Sequence, residues 1–167
     1  MGKKAFGLNE EGIQLAFYED DELPSSPSWD KLGTVYKDTA VMQDEEGEEV
    51  VCECEDFDTP EDVQSLPGRS TLAFSTSDLD PATCYKAFGG TLSSDKKTWT
   101  APKAYKSRLV AFKFTTRSGL QVAVAKALLK TRMNWSISKS GYGLLEHTLS
   151  VITDQSTTEG PMSISME

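Results

Sequence analysis

The sequence predicts a mainly β protein with one short α-helix. From residue 34 onward, runs rich in Val, Thr, Phe and Tyr alternate with a period of two and are separated by turn residues. Only one segment carries both a start and a stop signal for a helix. The 167 residues, of which 38% are hydrophobic, can bury one sizeable core. We therefore expect one domain, with an N-terminal arm (1–33), a β core (34–153) and a flexible tail (154–167).

The N-terminal arm and the tail lack this alternation. The arm is rich in acids, prolines and serines, as in EDDELPSSPSWDKLG, and it holds only a short possible strand at residues 12–18. We expect most of the arm to lie on the surface and to become ordered against a partner. After residue 153 the sequence DQSTTEGPMSISME is polar, and we expect it to be mobile.

The first half of the core predicts strands at residues 34–42, 48–55 and 69–76, and a shorter pair that flanks residues 93–97. The predicted helix lies between them, at residues 80–88. Its signals are local ones: Asp80 as the N-cap, Pro81 in the first turn, and Gly89-Gly90 after the last turn.

The second half of the core predicts two hairpins. Residues 108–116 meet 120–127 across a turn, and residues 130–138 meet 145–151 across Ser140-Gly141-Tyr142-Gly143. In each strand, alternation gives one buried face and one solvated face. The predicted buried faces hold Val110, Phe112 and Phe114 in the first hairpin, and Met133, Trp135, Ile137, Leu145, His147, Leu149 and Val151 in the second.

Charge and composition exclude several classes of protein. A net charge of -9 opposes a general affinity for nucleic acid or for an anionic membrane. No apolar run approaches the roughly 20 residues needed to span a bilayer. The first residues, MGKKAFGLNEEG, lack the apolar stretch of a secretory signal, so we expect synthesis in the cytoplasm. The three cysteines are expected to be free thiols.

One acidic segment, DEEGEE, raises the question of a cation site. It places five carboxylates around one glycine: Asp44, Glu45, Glu46, Glu48 and Glu49. An EF-hand loop needs an oxygen ligand five residues before its glycine, but Met42 occupies that position. We therefore favour the solvated tip of a hairpin over a metal site.

Residues suited to catalysis or metal binding are scarce. His147 is the only histidine, and alternation favours a core or interface position over a catalytic one. Cys52 and Cys54 point to the same side of a strand and could supply two soft ligands, but nothing in the sequence completes the set. We favour small buried residues for both, and for Cys84.

The remaining candidates are also interpreted as structural. The acidic residues that follow these cysteines are expected to form a solvated strand edge and loop: Glu53, Glu55, Asp56 and Asp58. The glycines fit turns, and no phosphate-binding glycine motif is present. We therefore expect no enzyme, no metal and no cofactor.

The order of the predicted elements carries further information. KLGTVYKDTAVMQDEEGEE forms an acidic-tipped hairpin, and PGRSTLAFSTSDLDPATCYKAFGG leads a strand into the helix. APKAY then precedes the two final hairpins, which end in NWSISKSGYGLLEHTLSVI. This order, over about residues 30–153, resembles the major tail tube proteins of phages and prophages.

The resemblance implies a fold and an assembly. The fold is two antiparallel sheets packed as a sandwich or barrel with one flanking helix, shared with the tube protein of type VI secretion. Subunits of that family close into hexameric rings, which stack into a hollow tube in the virion tail. The implied partners are further copies of the chain and other tail and baseplate proteins. DNA passes through the lumen without specific binding, and no membrane is involved. Ring closure also pairs open sheet edges with those of a neighbour.

The acidic excess has two possible places in such a tube. It faces the lumen, where a negative wall repels phosphates, or it lies at the seam between rings. At the seam, residues 44–49 would meet a basic surface of the next ring in a contact that weakens with salt. The candidate basic residues are Lys96, Lys97 and Lys103, and a wider counter-surface includes Arg108 and Lys130.

Two other classes stay open. A tail terminator or baseplate hub component also forms a ring, and it differs from a tube protein in stoichiometry. A carbohydrate-binding module or adhesin would use tryptophans as stacking platforms. Of Trp29, Trp99 and Trp135, only Trp99 in the turn-rich segment SSDKKTWTAP is kept as a surface candidate, because Trp135 alternates with predicted core residues.

Overall fold

The computed structural model describes residues 2–166 and shows a mainly β chain with one helix. Within these residues the strands, in chain order, are β1 (Leu8–Phe17), β2 (Asp30–Lys31), β3 (Val41–Asp44), β4 (Glu48–Cys52), β5 (Asp62–Leu66), β6 (Ser70–Thr76), β7 (Thr91–Leu92), β8 (Trp99–Thr100), β9 (Arg108–Thr116), β10 (Leu120–Trp135), β11 (Gly143–Val151) and β12 (Met162–Met166). The helix α1 (Pro81–Phe88) lies between β6 and β7. Among residues 2–166, no helix has the length and apolar character required to cross a lipid bilayer.

Eight strands form one antiparallel sheet. Their order is β2–β1–β9–β10–β11–β6–β3, and β12 pairs with β10 off this path. The 16-residue β10 organises the sheet, since β9 pairs along one of its edges while β12 and β11 pair along successive parts of the other. The remaining sheets, β4–β5 and β7–β8, have two strands each.

The core lies inside the curl of the large sheet. Leu15 of β1, near one end of the strand order, belongs to the same buried cluster as Leu72 and Phe74 of β6, near the other end. The segment after β2 also reaches β6, where the Tyr36 N–H donates to the Ser75 carbonyl at 2.8 Å. Because both ends of the sheet share one core, the sheet must curl strongly, as twisted antiparallel strands do.

The curled sheet does not close into a barrel within the described residues. A cavity of about 280 Å³ opens between β1 and β3, lined by apolar side chains that include Phe6, Leu8, Met42 and Leu72. The outer edge of β3 ends the strand order and is paired with no strand of the described chain. This seam leaves an unpaired sheet edge beside apolar surface.

The structure confirms the mainly β fold with one short helix but differs from the two-sheet arrangement that the resemblance implies. The core strands are hydrogen-bonded into a single sheet instead of two packed sheets. The long strand β10 shifts register between Val124 and Ala127, an irregularity that bends a strand and lets one sheet surround a core.

Both chain ends contribute more strand than the sequence predicts. β1 begins at Leu8 instead of residue 12, pairs with β9, and buries Ile13, Leu15 and Ala16. The N-terminal arm is therefore partly core. In the tail, β12 pairs with β10, with Val124 opposite Met162. Polar residues in Leu8–Phe17 and Met162–Met166 obscure the start of β1 and the whole of β12 in the sequence.

The helix follows its predicted signals. The Asp80 carboxylate accepts from the Thr83 N–H at 3.2 Å, and Pro81 occupies the first turn. At the other end, the Gly89 N–H donates to the Tyr85 carbonyl at 2.9 Å, with a Gly89 φ of 77° that favours glycine. Its inward face buries Cys84, Ala87 and Phe88 against the sheet.

Residues 44–68 form a projecting feature that we call the acidic hairpin. β3 pairs with β6, and β4 pairs with β5, in one common register: Asp44 lies opposite Ser70, and Glu48 lies opposite Leu66. The chain from β3 to β6 is thus one long hairpin, interrupted at residues 45–47 and 67–69. Among the described residues, β4 and β5 contact no other strand or helix, so they extend away from the core.

The end of the β10–β11 pair projects in a similar way, and we call it the distal hairpin (residues 130–145). Pairing of β9 with β10 stops at Leu129, whereas β11 follows β10 to Trp135. At its base, Glu146 accepts hydrogen bonds from Asn134 Nδ2 at 2.7 Å and from Arg132 Nε. These two bonds, from Asn134 first, lower the pKa of Glu146. The side-chain bridge joins β10 to β11 beyond the last residue of β10 that pairs with β9.

Candidate functional site

The acidic hairpin shows that one predicted pairing is wrong. Residues 44–49 are not the tip of a hairpin between neighbouring strands, because β3 and β4 do not pair with each other. They lie at the junction where the acidic hairpin leaves the sheet, and the true tip is residues 53–61. The sequence shows an acidic break between β3 and β4. Only the pairing of β3 with β6 and of β4 with β5 reveals that β3 and β4 run in the same direction.

The junction is narrow enough to require two glycines. A Cβ on Gly47 would lie 2.2 Å from the Leu66 carbonyl oxygen, and a Cβ on Gly68 would lie 2.0 Å from the Glu45 carbonyl oxygen. Neither distance is compatible with a side chain, so the two backbones cross more closely than ordinary paired strands. The glycines therefore determine the direction in which the acidic hairpin leaves the body.

Negative charge is concentrated in this hairpin. Residues 44–68 contain eleven acidic residues and no Lys, Arg or His, which gives a formal charge of -11. Since the whole chain carries -9, the other residues sum to +2. The two ion pairs formed among residues 2–166, Lys86–Asp30 and Arg132–Glu146, involve none of these acids. The charge is thus separated between a strongly acidic projection and a slightly basic body.

The same hairpin exposes apolar side chains. Every residue of β4 and β5 is exposed, and Phe57 at the tip is 65% exposed. The exposed apolar residues of the acidic hairpin are Val50, Val51, Phe57, Val63 and Leu66. A free-standing two-stranded ribbon gains little stability by itself, and apolar residues on both of its faces are typical of a surface that is covered on association. Sequence reasoning missed this surface, although the lack of any basic residue from 44 to 68 was a visible signal.

The predicted basic partners lie around the separate two-stranded sheet of β7 and β8. Asp95 caps the connecting turn by accepting from the Ser93 hydroxyl at 2.5 Å and from the Lys97 N–H at 3.2 Å, which lowers its pKa. Lys96 has a φ of 58°, and Lys96, Lys97 and Lys103 are exposed. Within residues 2–166 none of these lysines forms an ion pair with the acidic hairpin.

Arg108 is unsuited to the basic counter-surface suggested for it. Its guanidinium donates to the Lys86 carbonyl at 2.5 Å and lies 4.4 Å from the centroid of the Phe17 ring. Burial lowers its pKa. Arg108 therefore holds α1 against β1 and β9, whereas Lys130 is exposed at the base of the distal hairpin.

The tryptophans have the opposite roles from those predicted. Trp99 is packed, because its indole Nε1–H donates to the Gly89 carbonyl at 2.7 Å and its ring lies 5.5 Å from that of Phe88. Trp135 is half exposed on the distal hairpin, and Ile137 beyond it is 92% exposed. Both side chains lie beyond Leu129, where the pairing of β9 with β10 ends. Trp29 is partly covered by Lys113, whose Nζ lies 4.4 Å from the ring centroid.

His147 is a core histidine, as predicted. It is 1% exposed, and its Nε2 and Nδ1 lie 2.9 Å from the hydroxyls of Thr76 and Thr131 respectively. Its ring also packs against Phe74 at 4.9 Å. Burial lowers its pKa from 6.5 to about 4, so the ring is neutral at pH 7.

The cysteines divide into two groups. Cys84 is buried in α1, as predicted, but Cys52 is exposed and Cys54 is only partly buried, which corrects the prediction of small buried residues. Cys52 ends β4 and Cys54 lies in the tip that follows, and among the described residues β4 and β5 contact no other strand or helix that could cover them. The Cys54 thiol donates to Glu61 at 2.9 Å, and this hydrogen bond raises the pKa of Cys54.

No protein-family profile matches this sequence, and no curated protein matches it.

Proposed function

We propose that this protein is the structural subunit of a phage or prophage tail tube, which self-assembles into stacked rings that conduct DNA. The observation that carries the proposal is the acidic hairpin, a projecting ribbon whose charge and apolar side chains have no partner surface within the described chain. Such a ribbon is suited to cover, and to be covered by, a neighbouring copy.

Open sheet edges support ring formation. The outer edge of β3 ends the large sheet, and within residues 2–166 β12 has β10 as its single partner strand. The edge of β10 that pairs with β9 is also open beyond Leu129, where residues 130–135 have no partner strand along this edge in the described chain. Exposed edges normally require protection, and closed rotational symmetry provides it by pairing each edge with that of the next copy.

Charge separation supports contact between unlike parts of two copies. The acidic hairpin carries -11 and the rest of the chain +2, so hairpin–hairpin contact is repulsive while hairpin–body contact is favoured. The exposed lysines around β7 and β8, Lys96, Lys97 and Lys103, offer one basic surface for this contact. A heterologous contact of this kind builds rings or stacks instead of closing a dimer.

The charge distribution also bears on the DNA conduit. Because the body is slightly basic, a lumen that repels phosphates would be lined by acidic hairpins or by the acidic faces of individual strands. In this proposal DNA slides through without specific binding, and no cofactor is needed.

The test is assembly of the intact chain and of a version without the acidic hairpin. Residues 46–68 are replaced by Asn-Gly, which joins Glu45 to Arg69 through a two-residue turn in the existing register. Negative-stain microscopy and light scattering over a range of protein and salt concentration should show rings or hollow filaments for the intact chain only. A single ring that never stacks would indicate a terminator or hub component. A strict monomer at every condition would contradict self-assembly.

A binding module is the second candidate, and the distal hairpin is the observation that favours it. Trp135 and Tyr142 are exposed there, and the Tyr142 ring lies 6.4 Å from that of Tyr36. Exposed aromatic rings stack on sugar faces in many carbohydrate sites. A glycan array decides: binding by a monomer that is lost in Trp135→Ala would favour this class over the tube subunit.

A further inference from the structure

The tip of the acidic hairpin brings together three side chains that can bind a metal. The ligand atoms of Cys52, Cys54 and Glu61 all lie within 4.8 Å of one another. Tetrahedral zinc with Zn–S bonds of about 2.3 Å separates its sulfur ligands by about 3.8 Å. The three groups therefore need only a small movement to surround one ion.

The local backbone explains why these residues converge. Cys52 is the last residue of β4, and Cys54 lies two positions further along, so both thiols project from the same face. The Glu61 N–H donates to the Cys52 carbonyl at 2.9 Å, one residue out of step with the Cys52–Asp62 pairing of the strands. This offset brings Glu61, instead of its neighbour Asp62, to the thiols.

We propose that Cys52, Cys54 and Glu61 form a binding site for a thiophilic divalent cation such as Zn²⁺. Binding releases the thiol protons to solvent and replaces the hydrogen bond from Cys54 to Glu61 with coordination by two thiolates and one carboxylate. Two sulfur ligands favour zinc over calcium or magnesium, which prefer oxygen ligands alone. A water molecule completes the tetrahedron. The surrounding carboxylates of the acidic hairpin add a negative field that attracts the cation.

The site requires only the single chain, so it does not depend on tube assembly. A bound ion would tie the end of β4 to the start of β5 and reduce the conformational freedom of the tip, as closing a loop does. The sequence did not show this site because its third ligand lies seven positions after Cys54, and only the pairing of β4 with β5 brings Glu61 back to the cysteines.

The first experiment is titration of the reduced, full-length protein with Co²⁺, followed by displacement with Zn²⁺. The expected result is a near-ultraviolet thiolate-to-cobalt band that saturates at one ion per chain. Cys52→Ser or Cys54→Ser should weaken binding by about 100-fold or more, since loss of even an outer-shell partner costs about 10–100-fold. Glu61→Gln should weaken it by about tenfold.

Matched controls separate this site from other thiols and acids. Cys84→Ala removes the buried cysteine, and Glu53→Gln neutralises an acid that lies between the two cysteines in sequence but outside the ligand group. Both variants should bind Co²⁺ as the unaltered protein does. Zn²⁺ should also protect Cys52 and Cys54, but not an unfolded chain, from alkylation detected by mass spectrometry. Absence of a thiolate–cobalt band, or a band that depends on Cys84 and survives Cys52→Ser, would overturn the proposal.

Discussion

The backbone N–H of Glu45 donates to the carbonyl of Arg69 at 2.7 Å, where the acidic hairpin leaves the sheet. This bond keeps the register of β3 with β6 on one side and of β4 with β5 on the other. The hairpin is therefore a continuation of the body instead of a loose insertion, and its direction is set at this junction.

Substitution at the junction should change assembly more than stability. In Gly47→Ala or Gly68→Ala the new methyl group meets a carbonyl oxygen of the opposite strand, so the strands must separate and the hairpin must turn. We expect impaired ring or filament formation in microscopy, with a melting temperature lowered by less than about 4 °C because the junction lies outside the core. Gly160→Ala is the matched control, because its Cβ meets nothing within 4 Å. Normal filaments from both junction variants would contradict this role.

Neutralising the hairpin charge should weaken assembly. In a variant with Gln at positions 45, 46, 48 and 49, attraction to a basic body surface falls, so the protein concentration needed for assembly should rise. Assembly of the unaltered protein should also weaken between low and physiological salt, since exposed charges are screened over about 8–10 Å. Gln at four acids of the body, Glu10, Glu11, Glu19 and Glu159, serves as the charge-matched control.

The lysines can be tested by charge exchange. Replacing Lys96, Lys97 and Lys103 with Glu should impair assembly, because this surface then repels the acidic hairpin of a neighbouring copy. Combining these changes with Lys at positions 45, 46, 48 and 49 should restore part of it, because the attractive pair is re-formed with opposite signs. Light scattering measures the recovery. Additive loss in the combined variant would show that these two surfaces do not meet.

His147 should make the fold sensitive to mild acid. Its pKa is about 4 in the folded chain and near 6.5 when exposed, so below pH 6.5 the unfolded chain takes up a proton that the folded chain does not. Stability is therefore lost as pH falls from 6.5 towards 4, by about 2 kcal/mol between pH 7 and pH 5. Urea unfolding at the two pH values measures this. His147→Gln should be less stable at pH 7 but lose much less between the two values, and an unchanged pH dependence would contradict the assignment.

Exposed side chains of the distal hairpin should contribute much less to stability than the core residues of the same strand pair. Trp135→Ala and Ile137→Ser remove exposed side chains, so thermal unfolding should change by less than about 4 °C. Leu149→Ala on the paired strand removes a fully buried side chain and should cost about 2–5 kcal/mol. If Trp135→Ala instead destabilised the fold as much as Leu149→Ala, the distal hairpin would be covered in solution.

Local sequence patterns determined much of this protein. Alternation in residues 108–127 and 130–151 correctly predicted that β9 pairs with β10 and β10 with β11, because the torsions and turn residues that form hairpins are close in sequence. The two strands predicted at residues 120–127 and 130–138 are, however, one continuous strand, β10. Asp80, Pro81 and Gly89 correctly bounded the helix for the same reason. His147 was placed in the core by its alternation with leucines.

Only the tertiary structure decided which strands pair at a distance and which faces are covered. Alternation assigned Trp135 to the same face as core residues, yet Trp135 is half exposed, in the part of β10 beyond the end of its pairing with β9 at Leu129. The sequence predicted residues 44–49 as a turn, but β3 pairs with β6 and β4 pairs with β5. The pairing of β4 with β5 also brings Glu61 next to Cys52 and Cys54. The physical reason is that period and turn chemistry are properties of a few neighbouring residues, whereas register, burial and ligand sets arise from contacts between segments far apart in the chain.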